Sequence, residues 1–435
     1  MKNNIYACLE IGSSEARILV CNIREDKVYT ISQQSVETEG MENGYVAQVN
    51  LLVQKLKALK VHVESDLNQK LQTVILSVPS VEVKIEDVES ELILDETDVI
   101  GPEIIKRLFR QAMTRPTPAE TVSVNLIPRA FSVDGGPLNN DPTGQKGSVV
   151  KMEALRAIAP AMLVYNLINA VELAGFRISD IMVGSTAEVL YGLGAVEKGK
   201  QLCHVNIGKS TTTISLAHGG KLSSTRALSI GGQEATVDIS EALQVDEKTA
   251  SLLKHHFGSV LNQNNPQEFI HVNESDSGFS YITRGMLENV LVGRYEMILK
   301  VVKQYLNENS FKTDNIEYVF TGGASEVEGF VEFAQKILEA KVSRQRPGML
   351  GIRHGKFTAL TGMAILSHEL ALLTGQKSQI IDFSQYTRAK NQGMQQAGQN
   401  SERPISAERS FMDHKLENSG VLVRLFDMIF EEKAE

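Results

Sequence analysis

The feature that most constrains this chain is a short pattern that occurs twice. Near the start, Ala7-Cys8-Leu9-Glu10-Ile11 runs as an apolar strand into Gly12-Ser13-Ser14 and leaves as a second strand from Ala16 to Val20. In the middle of the chain, Cys203, Val205 and Ile207 lead into Gly208-Lys209-Ser210-Thr211-Thr212, and a second strand follows from Thr213 to Ala217. A strand that reverses over glycine and hydroxyl residues gathers several backbone N–H groups into one small space, which suits a phosphate. One such turn says little. Two, in the same order, predict a duplicated core with a cleft between its halves.

Bulk properties set the outer limits. At 435 residues the chain exceeds one compact core, so at least two lobes are expected. Its 42% hydrophobic and 22% charged content is that of a soluble globular protein. The net charge of −9 argues against nucleic acid as the main ligand, because phosphate backbones are met by a basic face. There is no apolar run of about eighteen residues and no basic-then-apolar leader, so a spanning or exported chain is not expected. Cys8, Cys21 and Cys203 fall on predicted strands in no metal-ligand spacing and read as buried thiols in a reducing cytoplasm. His204, His255 and His256 lack ligand spacing to any carboxylate cluster and read as structural or surface residues.

Taken in order, the first turn hangs a meander of strands at Ile5 to Leu9, Ala16 to Ile23 and Tyr29 to Val36. A helix over Val53 to Val63 and a buried strand from Val74 to Val78 follow. From about Ser80 to Pro160 the texture changes: Val81, Val83 and Ile85 alternate with charged residues, Ile104 to Met113 is amphipathic, and Val122 to Phe131 alternates again. This predicts a small α+β module inserted into the first lobe. After the second turn, Leu228-Ser229-Ile230-Gly231-Gly232 opens a helix, and Glu317 to Ala324 is a third strand ending in a glycine pair. Two glycines at a strand end leave bare backbone for a flat ligand, so a purine ring is expected at Gly322-Gly323. Ala359 to Leu373 reads as the last core helix.

Residues 376–418 hold little apolar periodicity and much Gln, Ser, Asn and charge, and read as a flexible tether. The segment beyond is short and apolar. On a helical wheel Gly420, Arg424, Asp427 and Glu431 share one narrow face, while the eight residues Val421, Leu422, Val423, Leu425, Phe426, Met428, Ile429 and Phe430 cover the rest. Half-burying such a set of side chains is worth on the order of 6–12 kcal/mol before the helix is ordered, enough for reversible membrane association. Acidic Asp427, Glu431, Glu432 and Glu435 outnumber Arg424 and Lys433, so insertion rather than attraction to anionic lipid would carry it.

The three glycine turns, the inserted module with Val133-Asp134 and Asn140-Asp141-Pro142-Thr143-Gly144, the stretch Leu228 to Ile239, and the tethered terminal helix together resemble the bacterial FtsA family. That family belongs to the actin, sugar kinase and Hsp70 ATPase superfamily. The resemblance covers residues 5 to 431 in order. It implies an α/β, actin-like two-lobed fold with a duplicated RNase H-like core, an inserted α+β subdomain 1C and a C-terminal amphipathic helix on a tether. The subdomains it implies are 1A at 1–83 and 162–195, 1C at 84–161, 2A at 196–228 and 303–358, 2B at 229–302, a return helix at 359–375, the tether at 376–418 and the membrane-targeting helix at 419–433. It also implies an ATP-binding, polymerising protein that ties FtsZ filaments to the cytoplasmic face of the membrane at the division site. The FtsZ C-terminal peptide would sit on 2B, self-association would run through 1C and the lobes, and other divisome proteins would be partners.

Carried over by position, Gly12, Ser13 and Ser14 would form the first phosphate loop, and Gly208, Lys209, Ser210, Thr211 and Thr212 the second. Gly231, Gly232 and Lys254 would flank the nucleotide, with Gly322, Gly323 and Ala324 at the adenosine. The departures concern the metal. The aspartates usual in the family stand here as Glu10 and Asn206, where two carboxylates would hold the waters around Mg²⁺. The usual lysine of the first loop is Glu15, and Lys209 replaces a glycine, with a cost of roughly 1 kcal/mol or more if its φ is positive. Lys209 reads as either a solvated lysine or a phosphate contact offsetting Glu15, and Glu10 as either a strand-end acid or a ligand to a Mg²⁺ water. Nucleotide binding that is retained but weakened, with slow or absent hydrolysis, is the expectation. Two alternatives stay open: a PilM-like pilus-assembly scaffold, and an ATPase or sugar kinase of the same superfamily.

Overall fold

The computed structural model describes residues 4–375, apart from 26, 96–97, 194–199, 220, 262–265, 276–277, 309–314, 350–351 and 353. Contacts divide the chain into Met1–Ile381 and Asp382–Glu435. The tether and the apolar terminal segment read from the sequence lie outside the described residues.

Two sheets with the same strand order carry the first unit. In the first, β1 (Ile5–Ile11), β2 (Glu15–Arg24) and β3 (Lys27–Glu37) form an antiparallel meander. The hairpin β4 (Met41–Glu42) and β5 (Tyr45–Val46) leads to α1 (Val49–Leu67), and β6 (Thr73–Val78) then returns parallel to β1. The chain next makes the insertion: β7 (Lys84–Ile93), α2 (Pro102–Met113), β8 (Thr121–Val133) and β9 (Val149–Pro160). Helix α3 (Ala161–Leu173) and β10 (Arg177–Val183), parallel to β6, complete the order β3-β2-β1-β6-β10.

Helix α4 (Gly184–Leu193) crosses to the second copy. There β11 (Gln201–Ile207), β12 (Thr212–His218) and β13 (Lys221–Leu228) repeat the meander. Next come α5 (Gly232–Leu243), α6 (Glu247–Phe257), the hairpin β14 (Phe269–Ser275) and β15 (Gly278–Thr283), and α7 (Arg284–Glu308). Strand β16 (Ile316–Thr321) lies parallel to β11, and β17 (Lys341–Arg344), reached through α8 (Phe330–Leu338), parallel to β16. The order β13-β12-β11-β16-β17 matches the first sheet strand for strand. The expected duplication is thus realised in topology as well as in motif.

Parallel strands covered on both faces need near-continuous apolar sequence, and Ile316 to Thr321 is buried at every position. The last helix, α9 (Thr358–Thr374), packs on α4; a Cβ on Gly362 would sit 2.3 Å from the Ala187 carbonyl, so only glycine permits this approach. Among the described residues one helix, Gly355–Thr374, is long and apolar enough to cross a membrane, yet 67% of its window is buried, as in a core helix.

The insertion is an antiparallel sheet in the order β7-β9-β8, covered by Ile105, Leu108, Phe109 and Ala112 of α2. Arg156 of β9, 2% exposed, pairs with Glu86 at 2.7 Å and donates to the Arg115 carbonyl at 2.7 Å, so its buried charge is both paired and bonded. Arg129 of β8 donates to the Leu222 carbonyl of β13 at 2.5 Å, bracing the insertion against the second copy.

Several strands carry no clear signal in the sequence, and one begins later than its alternation predicts. The alternation at Val81 and Val83 lies in a turn before β7 rather than in a strand. Strands β9 and β13 and the β14–β15 hairpin were not anticipated. Strand β9, Val-Val-Lys-Met-Glu-Ala-Leu-Arg-Ala-Ile-Ala-Pro, is rich in residues of helical propensity, and its place between two partner strands overrides that preference. Cys8, Cys21 and Cys203 are buried free thiols, as expected. His204 is buried, and burial pushes its imidazole down to about 4, with Gln345 opposing, as suits a structural residue.

Candidate functional site

The two glycine turns are built alike to the level of single bonds. In the first, Gly12 N–H donates to the Glu15 carbonyl at 3.0 Å; in the second, Gly208 N–H donates to the Thr211 carbonyl at 2.8 Å. Each bond closes a hairpin whose tip, Ser13-Ser14 or Lys209-Ser210, lies outside the strand ladder. No left-handed backbone is needed at Lys209, which is absent from the described residues with positive φ, so the strain anticipated there does not arise. Its side chain is exposed.

Gly231 and Gly232 serve the second turn from behind. Gly232 N–H donates to the Gly208 carbonyl at 2.9 Å and Gln233 N–H to the Lys209 carbonyl at 2.8 Å. The first amides of α5 are thus spent on the turn rather than on a ligand, and Gly231 N–H is taken by Glu234 at 2.7 Å. A Cβ on Gly231 would lie 2.5 Å from the Lys209 carbonyl, which explains the glycine by close approach.

At the end of β16, Gly322 has φ +89, and a Cβ there would meet the Ile207 carbonyl at 2.3 Å and Asn206 Oδ1 at 2.5 Å. The turn is held by Gly322's carbonyl, which accepts from Ser325, and by Ala324's, which accepts from the Tyr295 hydroxyl at 2.6 Å. Above Gly323 a Cβ would find nothing within 4 Å, so this backbone faces open space. Ala324 and Gly232 are also neighbours, since a Cβ on Gly232 would lie 3.0 Å from Ala324 Cβ. Lys254 of α6 donates to the Gly232 carbonyl at 2.7 Å and to the Thr236 hydroxyl. Burial pushes its ammonium down to about 8, Lys209 adding to the fall and Glu234 opposing it. The second turn, the α5 entry, Lys254 and the Gly322-Gly323-Ala324 turn therefore share one locality.

Between the two sheets runs a chain of charges that links the turns. Glu10 of β1 faces Arg17 of β2 in the hairpin register, Oε2 to Nε 3.8 Å. Arg17 Nη1 also donates to the Lys356 carbonyl at 2.6 Å, and Lys356 Nζ pairs with Glu15 at 2.8 Å. On the other side Asn206 Nδ2 donates to Glu188 of α4 at 2.8 Å. Burial raises the Glu10 carboxyl above the usual range; Arg17 opposes the rise, and Glu188 and Glu15 add to it. Burial also raises Glu188, with Asn206 opposing. His255 of α6 is pushed down by burial, then by Lys254 and His256, and Glu15 opposes, so the first turn and α6 face a common space.

The lysine paired with Glu15 is Lys356, because the loop before α9 folds back over β2, while Lys209 is exposed, as in the first of the two readings left open for it. Arg17, Glu188 and Lys356 were missed. Arg17 was within reach of the sequence, since closing the hairpin over Gly12 to Glu15 forces it opposite Glu10. Glu188 and Lys356 arrive through long-range packing and leave no local signal.

The family model described as cell division protein FtsA matches residues 203–362. The chain is similar to the cell division protein FtsA of Bacillus subtilis, 26% identical over 378 residues, covering 86% of each chain. It is also 23% identical to that of Streptococcus pneumoniae, over 85% of this chain and 81% of the relative. Among solved structures it resembles the PilM–PilN type IV pilus biogenesis complex, with a TM-score of 0.57 at 16% identity, covering 84% of this chain and 98% of the other. It likewise resembles MreB5 of Spiroplasma citri bound to ADP, with a TM-score of 0.51 at 12% identity, covering 86% and 99%. Over most of its length the chain is thus similar to the cell division proteins FtsA of several bacteria, and it shares the actin-like fold of these solved structures.

Proposed function

We propose that this protein binds an adenine nucleotide between its two copies of the core, assembles into filaments, and holds FtsZ filaments to the cytoplasmic face of the membrane at the division site. One observation carries the nucleotide part: two turns with the same internal bond, Gly12 to Glu15 and Gly208 to Thr211, lie at corresponding corners of two matching sheets. The bare backbone at Gly323 supports a purine position beside the second turn, with Lys254 beside it. Ser13, Ser14, Ser210, Thr211 and Thr212 are the polar groups proposed to meet the phosphates. Gly231 and Gly232 act by shaping the second turn. The ADP held by the MreB5 neighbour is consistent with this reading.

Membrane attachment is proposed through Val421, Leu422, Leu425, Phe426, Met428, Ile429 and Phe430, on sequence grounds. Subdomain 2B, at 229–302, is proposed for the FtsZ tail, and 1C, at 84–161, for contacts between subunits. The role is that of a scaffold with slow or absent hydrolysis, since Asn206 supplies no carboxylate at the second turn. A PilM-like scaffold is favoured by the PilM–PilN likeness, but a protein held by a membrane partner has no use for its own apolar terminal segment. Electron microscopy of the protein on lipid, with and without ATP, tests the reading: filaments on the bilayer that depend on nucleotide support it, and bare vesicles in both conditions refute it.

A further inference from the structure

We infer, resting on the nucleotide reading above, that this site takes the polyphosphate without a divalent metal and that Arg17 is its resident cation. The residues at the positions expected to serve Mg²⁺ do not fit it. A hydrated Mg²⁺ is held by oxygen, chiefly carboxylate, ligands. At the first turn the carboxylate of Glu10 already faces a guanidinium, 3.8 Å away. At the second turn the group is an amide, Asn206, whose nitrogen is committed to Glu188 at 2.8 Å. Among the described residues no group of three His, Cys, Asp or Glu is placed to hold a metal.

What stands there instead is a fixed positive charge. Arg17 Nη1 is tied to the Lys356 carbonyl at 2.6 Å, which aims the guanidinium across the first turn. There its Nη2 lies 3.3 Å from the point a Cβ on Gly12 would occupy. Glu10 Oε2 and Arg17 Nε are both buried without a hydrogen-bond partner, so the pair is close enough to attract yet not closed on itself. Lys356 cancels Glu15, the acid that would otherwise face the phosphates from the same turn. A guanidinium offers a planar fork that matches two phosphate oxygens, stays charged at every working pH, and repels a divalent cation brought beside it. The same three residues, Glu10, Arg17 and Lys356, thus remove the place for a metal and supply the charge it would have brought.

The test is calorimetric titration of the full chain with ATP, in EDTA and in magnesium, for the unmodified protein, Arg17→Ala and Arg17→Lys, with a thermal melt of each. The unmodified protein is expected to bind within about threefold of the same affinity in both buffers, and Arg17→Ala to lose more than about tenfold in EDTA. Arg17→Lys, which keeps the charge but not the fork, should fall between and serves as the comparison if the alanine variant does not fold. Binding by the unmodified protein that weakens more than about tenfold in EDTA overturns the metal-free inference and leaves the nucleotide reading intact. Unchanged EDTA affinity in Arg17→Ala overturns the role given to Arg17, again leaving the nucleotide reading intact. No binding in either buffer overturns the nucleotide reading and the inference together.

Discussion

Replacing Asn206 by aspartate puts two carboxyl groups where the structure has one hydrogen bond, and the outcome can be worked from the geometry. Asn206 Nδ2 and Glu188 Oε2 are 2.8 Å apart, and two carboxylates at that spacing repel by about 6 kcal/mol at an effective dielectric of about 20. Taking a proton from solution at neutral pH costs an ordinary carboxyl about 4 kcal/mol, at about 1.4 kcal/mol per unit over roughly three units. Protonation is the cheaper response, so the pair in Asn206→Asp shares one proton. Burial already raises Glu188 and reduces that cost. The expected loss of stability at neutral pH is about 2–4 kcal/mol. The sign follows from proton counts: the folded variant binds a proton that the unfolded chain lacks, so its stability falls as pH rises from about 4 towards the pair's raised value and levels off above it. Urea unfolding followed by circular dichroism, which needs no tryptophan, measures the difference from the unmodified protein between about pH 5 and about pH 8. A difference that does not depend on pH, or one under about 0.5 kcal/mol at neutral pH, would refute the reasoning.

Other expectations follow from single contacts. Gly322→Ala places a Cβ on the Ile207 carbonyl at a positive φ, so the variant should lose at least about 1–2 kcal/mol in thermal unfolding and bind nucleotide more weakly. An unshifted melting temperature would mean the turn is looser than described. Lys254 loses its proton near pH 8 in the free protein, and a phosphate beside it would hold that proton on. ATP affinity should therefore fall as pH rises through about 8, and Lys254→Met should abolish the dependence; a flat profile in the unmodified protein would remove Lys254 from the site. Deleting residues from Ser419 onward should release the protein from vesicles, and co-sedimentation unchanged by the deletion would place the membrane contact elsewhere.

How much of this was legible in the sequence depended on how local the cause was. The duplicated core could be read because each copy opens with an apolar strand broken by glycine and hydroxyls, a signal confined to a dozen or so residues around Gly12 and Gly208. Strand β9 could not, because the alternation of Val150 to Ala154 loses its phase at Leu155, and Met152, Glu153, Ala154 and Leu155 favour helix until β7 and β8 pair on either side. Within the site, the glycines announced themselves, but the local bonds at the α5 entry did not: the Gly232 and Gln233 amides grip the Gly208 and Lys209 carbonyls. The charge pattern was half visible. Glu15 and Asn206 stood out as departures, yet the groups that answer them, Lys356 from a distant segment and Glu188 from the preceding helix α4, are brought in only by folding.

The central claim is that the two glycine turns close on one nucleotide, and hydrogen exchange of backbone amides with and without ATP tests it most directly. The account predicts slowed exchange at residues 12–14, 208–212 and 322–324 together in the presence of ATP, with the 84–161 insertion changing less. Protection confined to one turn, or none at either while ATP is demonstrably bound, would contradict it.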